Sequence, residues 1–169
     1  MRLRCTLLLT LGLELGLCAC GPAVPPVPPP TAGTLTLGMS DASDAFLPFI
    51  DGQDVTLVSG AQGGFHVWLR YRYDGTPGGN AKLSRGAHRL ADDAIVLRTN
   101  AEITVAAESA LMPMFMCPSP IGLSVIDQPI VFSLGMDADD GTPLAAQHIT
   151  LVPHCPDAER DFCLRICTG

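Results

Sequence analysis

From Phe65 to Tyr73 the side chains alternate without interruption. Phe65, Val67, Leu69, Tyr71 and Tyr73 fall on one face, and His66, Trp68, Arg70 and Arg72 on the other. A period of two sustained over nine residues describes a strand that buries one side. Behind it, Asp74-Gly-Thr-Pro-Gly-Gly-Asn80 is a turn cluster containing several residues able to take positive φ. A single strand cannot satisfy its edges or cover its apolar face, so this one must belong to a larger β structure. Shorter runs of the same kind recur at 34–37, 54–58, 95–97, 102–108, 121–126, 130–134, 147–152 and 162–167. Asn100 is expected to separate the run at 95–97 from that at 102–108, where Ile103, Val105 and Ala107 point inward. Gly, Pro and Asp punctuate these runs, a spacing that predicts an all-β, antiparallel sandwich. Asp157–Leu164 is the one helix candidate, and it reads equally well as a loop with a strand.

Composition narrows the function classes. The chain has 169 residues with 10 basic and 17 acidic side chains, a formal charge of -7, and Lys82 is its sole lysine. No basic stripe exists to neutralise phosphates, so a nucleic-acid partner is not expected. An apolar fraction of 47% argues against a disordered chain.

At the N-terminus, Arg2 and Arg4 precede an apolar, leucine-rich run from Cys5 to Leu17, which Glu14 interrupts. That length suits a secretory signal rather than a membrane span. It ends in Leu17-Cys18-Ala19-Cys20, which resembles the bacterial lipobox. The resemblance implies cleavage after residue 19 and a diacylglycerol on Cys20, hence a membrane anchor. Gly21 in place of Asp after that cysteine implies sorting to the outer membrane. The next ten residues, Gly21 to Pro30, hold six prolines. Such a run favours polyproline II and would set the domain about 30 Å off the membrane surface at 3.1 Å per residue. The expected organisation is a signal at 1–19, a lipidated cysteine and linker at 20–33, and a β-sandwich domain at 34–169.

Loss of the signal leaves 8 basic and 16 acidic residues, spread without blocks as a solvated acidic surface. Within this domain, Phe46 to Trp68, with its Gln62-Gly-Gly-Phe-His-Val-Trp68 core, is similar to a segment of uncharacterised bacterial lipoproteins. Residues 129–153, with Asp137-Ala-Asp-Asp-Gly-Thr142, resemble a paired-strand segment of immunoglobulin-like domains. These two likenesses imply a lipoprotein with an immunoglobulin-like sandwich, and neither brings a functional residue with it.

Cys117, Cys155, Cys163 and Cys167 remain after the signal and anchor are set aside. Four thiols in an exported domain imply two disulfides, with three connectivities open. If 162–167 is a strand, Cys163 and Cys167 share a face too far apart to bond each other. Cys155 with Cys163 and Cys117 with Cys167 is then the favoured pairing. The lack of Cys-x-x-Cys removes a thioredoxin-like site and the paired knuckles of zinc sites.

Three constellations carry candidate chemistry. His66, Trp68, Arg70 and Arg72 share the polar face of one strand, where Trp and Arg are favoured contact residues for a ligand. The alternative is that this face packs on neighbouring chain. Met112, Met114 and Met116 alternate, and thioethers joined by a histidine form a soft site for Cu(I). The plainer reading is methionines filling a core strand. Asp137 to Gly141 begins like a calcium loop, but the position of its bidentate acid is His148, which leaves an acidic turn. Catalytic fingerprints, including Gly-x-Ser-x-Gly and His-Glu-x-x-His, are missing. The expectation is a lipid-anchored, non-catalytic binding or envelope-structural module without a cofactor, whose partner is an envelope protein or glycan. A copper-handling protein using the three methionines and an envelope hydrolase without a recognisable motif are the alternatives.

Overall fold

The computed structural model describes residues 29–119 and 122–168. The signal, Cys20 and the linker through residue 28 lie outside the described residues. No helix among the described residues is long and apolar enough to cross a membrane.

Among the described residues the architecture is an all-β sandwich of two five-stranded sheets closed by one short helix. The first sheet contains β1 (Leu35–Ser40), β2 (Phe46–Pro48), β4 (Val58–Ser59), β5 (Phe65–Tyr73) and β8 (Met112–Cys117). The second runs in the order β3 (Gln53–Thr56), β10 (Pro143–His154), β9 (Ile130–Ala138), β6 (Asn80–Arg89) and β7 (Ile95–Thr104). The uninterrupted alternation of 65–73 is one strand with the expected inner face: Phe65, Val67, Leu69, Tyr71 and Tyr73 are all buried. These residues pack with Phe132, Leu134, Met136 and Leu151 of the opposite sheet in a single core.

The pairing is antiparallel except between β3 and β10, which run parallel from Gln53↔Leu151 to Thr56↔His154. The expected strand at 54–58 is in fact two. At Leu57, which is 1% exposed, the chain leaves the second sheet and enters the first. The Leu57 amide donates to the His154 carbonyl at 2.8 Å, so the crossing is held by the final strand.

Other expectations are corrected. Residues 95–104 form one strand, with Asn100 paired to Ser84 in mid-ladder. Val105 is buried just beyond the strand, but Ala107 is exposed rather than inward. The described part of 121–126 is loop, entered through Gly122 at φ +67 and left through Asp127 at φ +57. Val125 and Ile126 of this loop are nonetheless buried and close the core there. Residues 162–167 are not a strand: they lie in α1 (Arg160–Cys167), which follows a 3-10 turn at Asp157–Glu159. Asp157, Glu159 and Asp161 at the start of this segment suit the positive end of a helix.

The disulfides join Cys155 to Cys163 and Cys117 to Cys167. An interval of four residues shares a face in a helix as it does in a strand, so this pairing outlives the change of element. Both cysteines of α1 are buried, and an eight-residue helix that is marginal alone is fixed to β8 and to the end of β10.

Candidate functional site

On the outward face of β5 the four candidate residues have different surroundings. Arg70 is nearly buried and fully engaged. Its Nη1 donates to Ser40 Oγ and to the Asp44 carbonyl, both at 2.9 Å, and its Nε donates to the Ser109 carbonyl at 3.0 Å. It also pairs with Asp44 at 3.0 Å and Glu108 at 2.7 Å. Arg72 donates to the other Glu108 oxygen at 3.0 Å and lies 4.5 Å over the Phe46 ring. The two guanidiniums therefore tie the β1–β2 turn and the segment before β8 onto β5, with their charges met by Asp44 and Glu108.

His66 sits edge-on to Phe115 at 5.2 Å, and its Nδ1 is buried without a hydrogen-bond partner. Gly60 crosses close over the imidazole, and a Cβ there would strike the ring. Trp68 differs from its neighbours: 37% exposed, it lines a cleft of about 520 Å³.

That cleft opens where the first sheet is incomplete. Its walls include Met39, Phe49, Val55, Val58, Val67 and Leu111 beside the indole. Val67 belongs to the inner face of β5 and Trp68 to the outer, so the cleft reaches through the plane of the sheet. The far wall is β3, the edge strand of the second sheet. Ile50 and Leu47, at 74% and 46% exposure, continue apolar surface along the segment that supplies Phe49. Asp54 is the one ionisable side chain among the lining residues.

Behind Asp54 stands a cluster with no counterpart in the sequence reading. His154 places Nε2 at 2.8 Å from Asp54 Oδ1 and Nδ1 at 2.6 Å from Asp127 Oδ1. The hydrogen bond to Asp54, then that to Asp127, holds the imidazole's pKa above its ordinary value. The ring joins β3, the loop before β9 and the end of β10. Asp54 and His154 are 100 residues apart, and no local spacing announces the contact.

The methionines occupy the core. Met114 and Met116 are fully buried and Met112 partly so. Met114 pairs with Val67 and Met112 with Leu69, on the inner face of β5, whereas His66 pairs with Phe115 on the outer face. The strand's own alternation thus puts the histidine of β5 across the sheet from the thioethers. Among the described residues, no group of three or more His, Cys, Asp or Glu is placed to hold a metal ion. The acidic stretch at 137–141 is the turn between β9 and β10. There the Thr142 amide donates to Asp140 at 2.9 Å, and bonds from the Thr142 side chain and backbone keep the Asp140 carboxyl below its usual pKa.

Compared with known proteins, the chain matches no family model and no curated protein.

Proposed function

We propose that this protein is a lipid-anchored, extracytoplasmic, non-catalytic binding module, held at the outer membrane through Cys20, that takes its ligand in the cleft beside Trp68. The observation that carries the binding reading is the cleft itself. Its volume is in the range of small-ligand sites, its walls are mainly apolar, and a few polar groups line it, Gln53, Asp54 and Thr56 on β3 and Ser40 on β1. A half-exposed tryptophan among exposed aliphatic side chains is surface that a partner would cover. The anchor rests on the lipobox-like ending at Cys20 and the proline spacer after it. An envelope protein or glycan is the partner class that such an address would offer.

The two halves of the proposal are tested separately. Trp68 is the sole tryptophan, so intrinsic fluorescence reports on the cleft alone. Titration with anilinonaphthalene sulfonate should quench Trp68 saturably, at one probe per chain. Linear, unsaturable quenching would remove the cleft as a ligand site. Intact mass of the membrane-extracted protein should correspond to a chain starting at Cys20 and carrying diacylglycerol. A chain without lipid would remove the anchor.

A further inference from the structure

The ladder along one edge of β5 lacks a rung. Tyr71 and Tyr73 spend their backbone groups on the segment before β8: the Tyr73 amide donates to the Ala107 carbonyl at 2.8 Å, and the Ser109 amide to the Tyr71 carbonyl at 3.0 Å. In an antiparallel ladder the N–H and C=O of one residue point to the same side, and successive residues alternate sides. Arg72, Arg70, Trp68 and His66 therefore address the opposite edge. There β1 pairs with Arg72 and Arg70, ending at Gly38↔Arg70, and β4 pairs with His66 through Val58. Beyond Gly38, β1 turns away to pair with β2, and upstream of Val58 the chain has crossed to the other sheet. Trp68 is left without a strand partner on this edge.

We propose, building on the cleft as the ligand site, that the ligand is an extended peptide segment bearing a basic residue, which adds a short strand to β5 at Trp68. A donor and an acceptor side by side on a strand edge match the acceptor and donor of another extended backbone. The slot between the rungs at Arg70 and His66 spans four residues, about 13 Å at 3.3 Å per residue, and admits about three residues of extended chain. Side chains of an added strand alternate across the sheet. One set would meet Trp68 and Leu111, the other Val67 and Phe49, all of which line the cleft. Charge selects the basic residue. No lysine or arginine lines the cleft, Asp54 Oδ1 takes His154, and Oδ2 has no partner among the described residues. Asp44, 80% exposed, stands one hydrogen bond beyond Ser40 at the rim, although Arg70 already pairs with it.

The test uses a positional-scanning library of acetylated, amidated hexapeptides on the whole protein, read by Trp68 emission and by displacement of anilinonaphthalene sulfonate. Pools with lysine or arginine beside alternating β-branched or aromatic residues should displace the probe at micromolar concentration. The best peptide should slow exchange of the Trp68 amide at least tenfold. N-methylation at its residue opposite Trp68 should weaken it at least tenfold, and norleucine in place of its lysine several-fold. Probe binding that no pool displaces would overturn strand addition and leave the cleft as an apolar site. A peptide that binds equally well when N-methylated would overturn the backbone pairing. Equal affinity of the norleucine peptide would overturn the selection by Asp54. Failure of probe and peptides together would take the binding reading down with the strand.

Discussion

Removing the disulfides one pair at a time separates two sources of their stabilisation. Cys117→Ala with Cys167→Ala opens a loop of sequence separation 50, and Cys155→Ala with Cys163→Ala one of separation 8. Paired substitution leaves no free thiol to exchange with the surviving bridge. If the bridges act by restricting the unfolded chain, loop-closure entropy gives about 4 kcal/mol for the long loop and about 2.5 kcal/mol for the short one. Either variant keeps one covalent hold on α1, so loss of the helix does not blur the comparison. At roughly 4 °C per kcal/mol for a domain of this size, the long-loop variant should melt about 16 °C below the parent and the other about 10 °C below. Differential scanning calorimetry at neutral pH, without reductant, reads both. If the short-loop pair costs as much as the long-loop pair or more, chain entropy is refuted as the dominant cause. The stabilisation would then lie in the packing of α1 against the core.

Two further perturbations probe the core strand and the charged cluster. Met114 is fully buried, so Met114→Leu should change stability by less than about 1.5 kcal/mol, whereas Met114→Ala should cost about 2–5 kcal/mol. Urea unfolding measures both, and an indifferent alanine variant would contradict the core placement. His154 has its pKa raised by Asp54 and Asp127. Its contribution is thus complete below the unfolded value of about 6.5 and is lost as pH rises through the folded value. With side chains 38%, 78% and 61% exposed, solvent screening keeps this contribution below about 1 kcal/mol. Urea midpoints of the parent should fall from pH 6 to alkaline pH more steeply than those of His154→Gln, and identical slopes would refute the assignment.

What was legible in the sequence follows the range of the forces involved. The strand at Phe65–Tyr73 is readable because every second residue is apolar and each is buried in the structure. Its counterpart at Asn80–Arg89, an interior strand of the second sheet, escapes the same reading. Arg85 stands at an inward position between Leu83 and Ala87, and Gly86 on the other face adds no β signal. At Gly86, Ser133 Oγ on β9 stands 2.6 Å from where a Cβ would be, a contact made by a residue far along the chain. At the C-terminus, the shared face of Cys163 and Cys167 was visible, but a spacing of four does not distinguish helix from strand. Trp68 stands out in the sequence as a favoured contact residue on the polar face of a strand. Its cleft does not, because that depends on where β1 and β4 part from β5, and partings of that kind are decided by pairings with β2 and β10.

The parallel pairing of β3 with β10 also sets the order in which the molecule can come into being. A chain that emerges N-terminus first presents Gln53–Thr56 about 100 residues ahead of its neighbour on β10. Until β10 follows, the wall opposite Trp68 has no sheet to lean on, and neither Asp54 nor Asp127 has met its histidine. A chain cut short after β9 would retain the alternating strand, the methionines and the indole, yet enclose nothing. The cleft exists only once β10 has come to support its far wall.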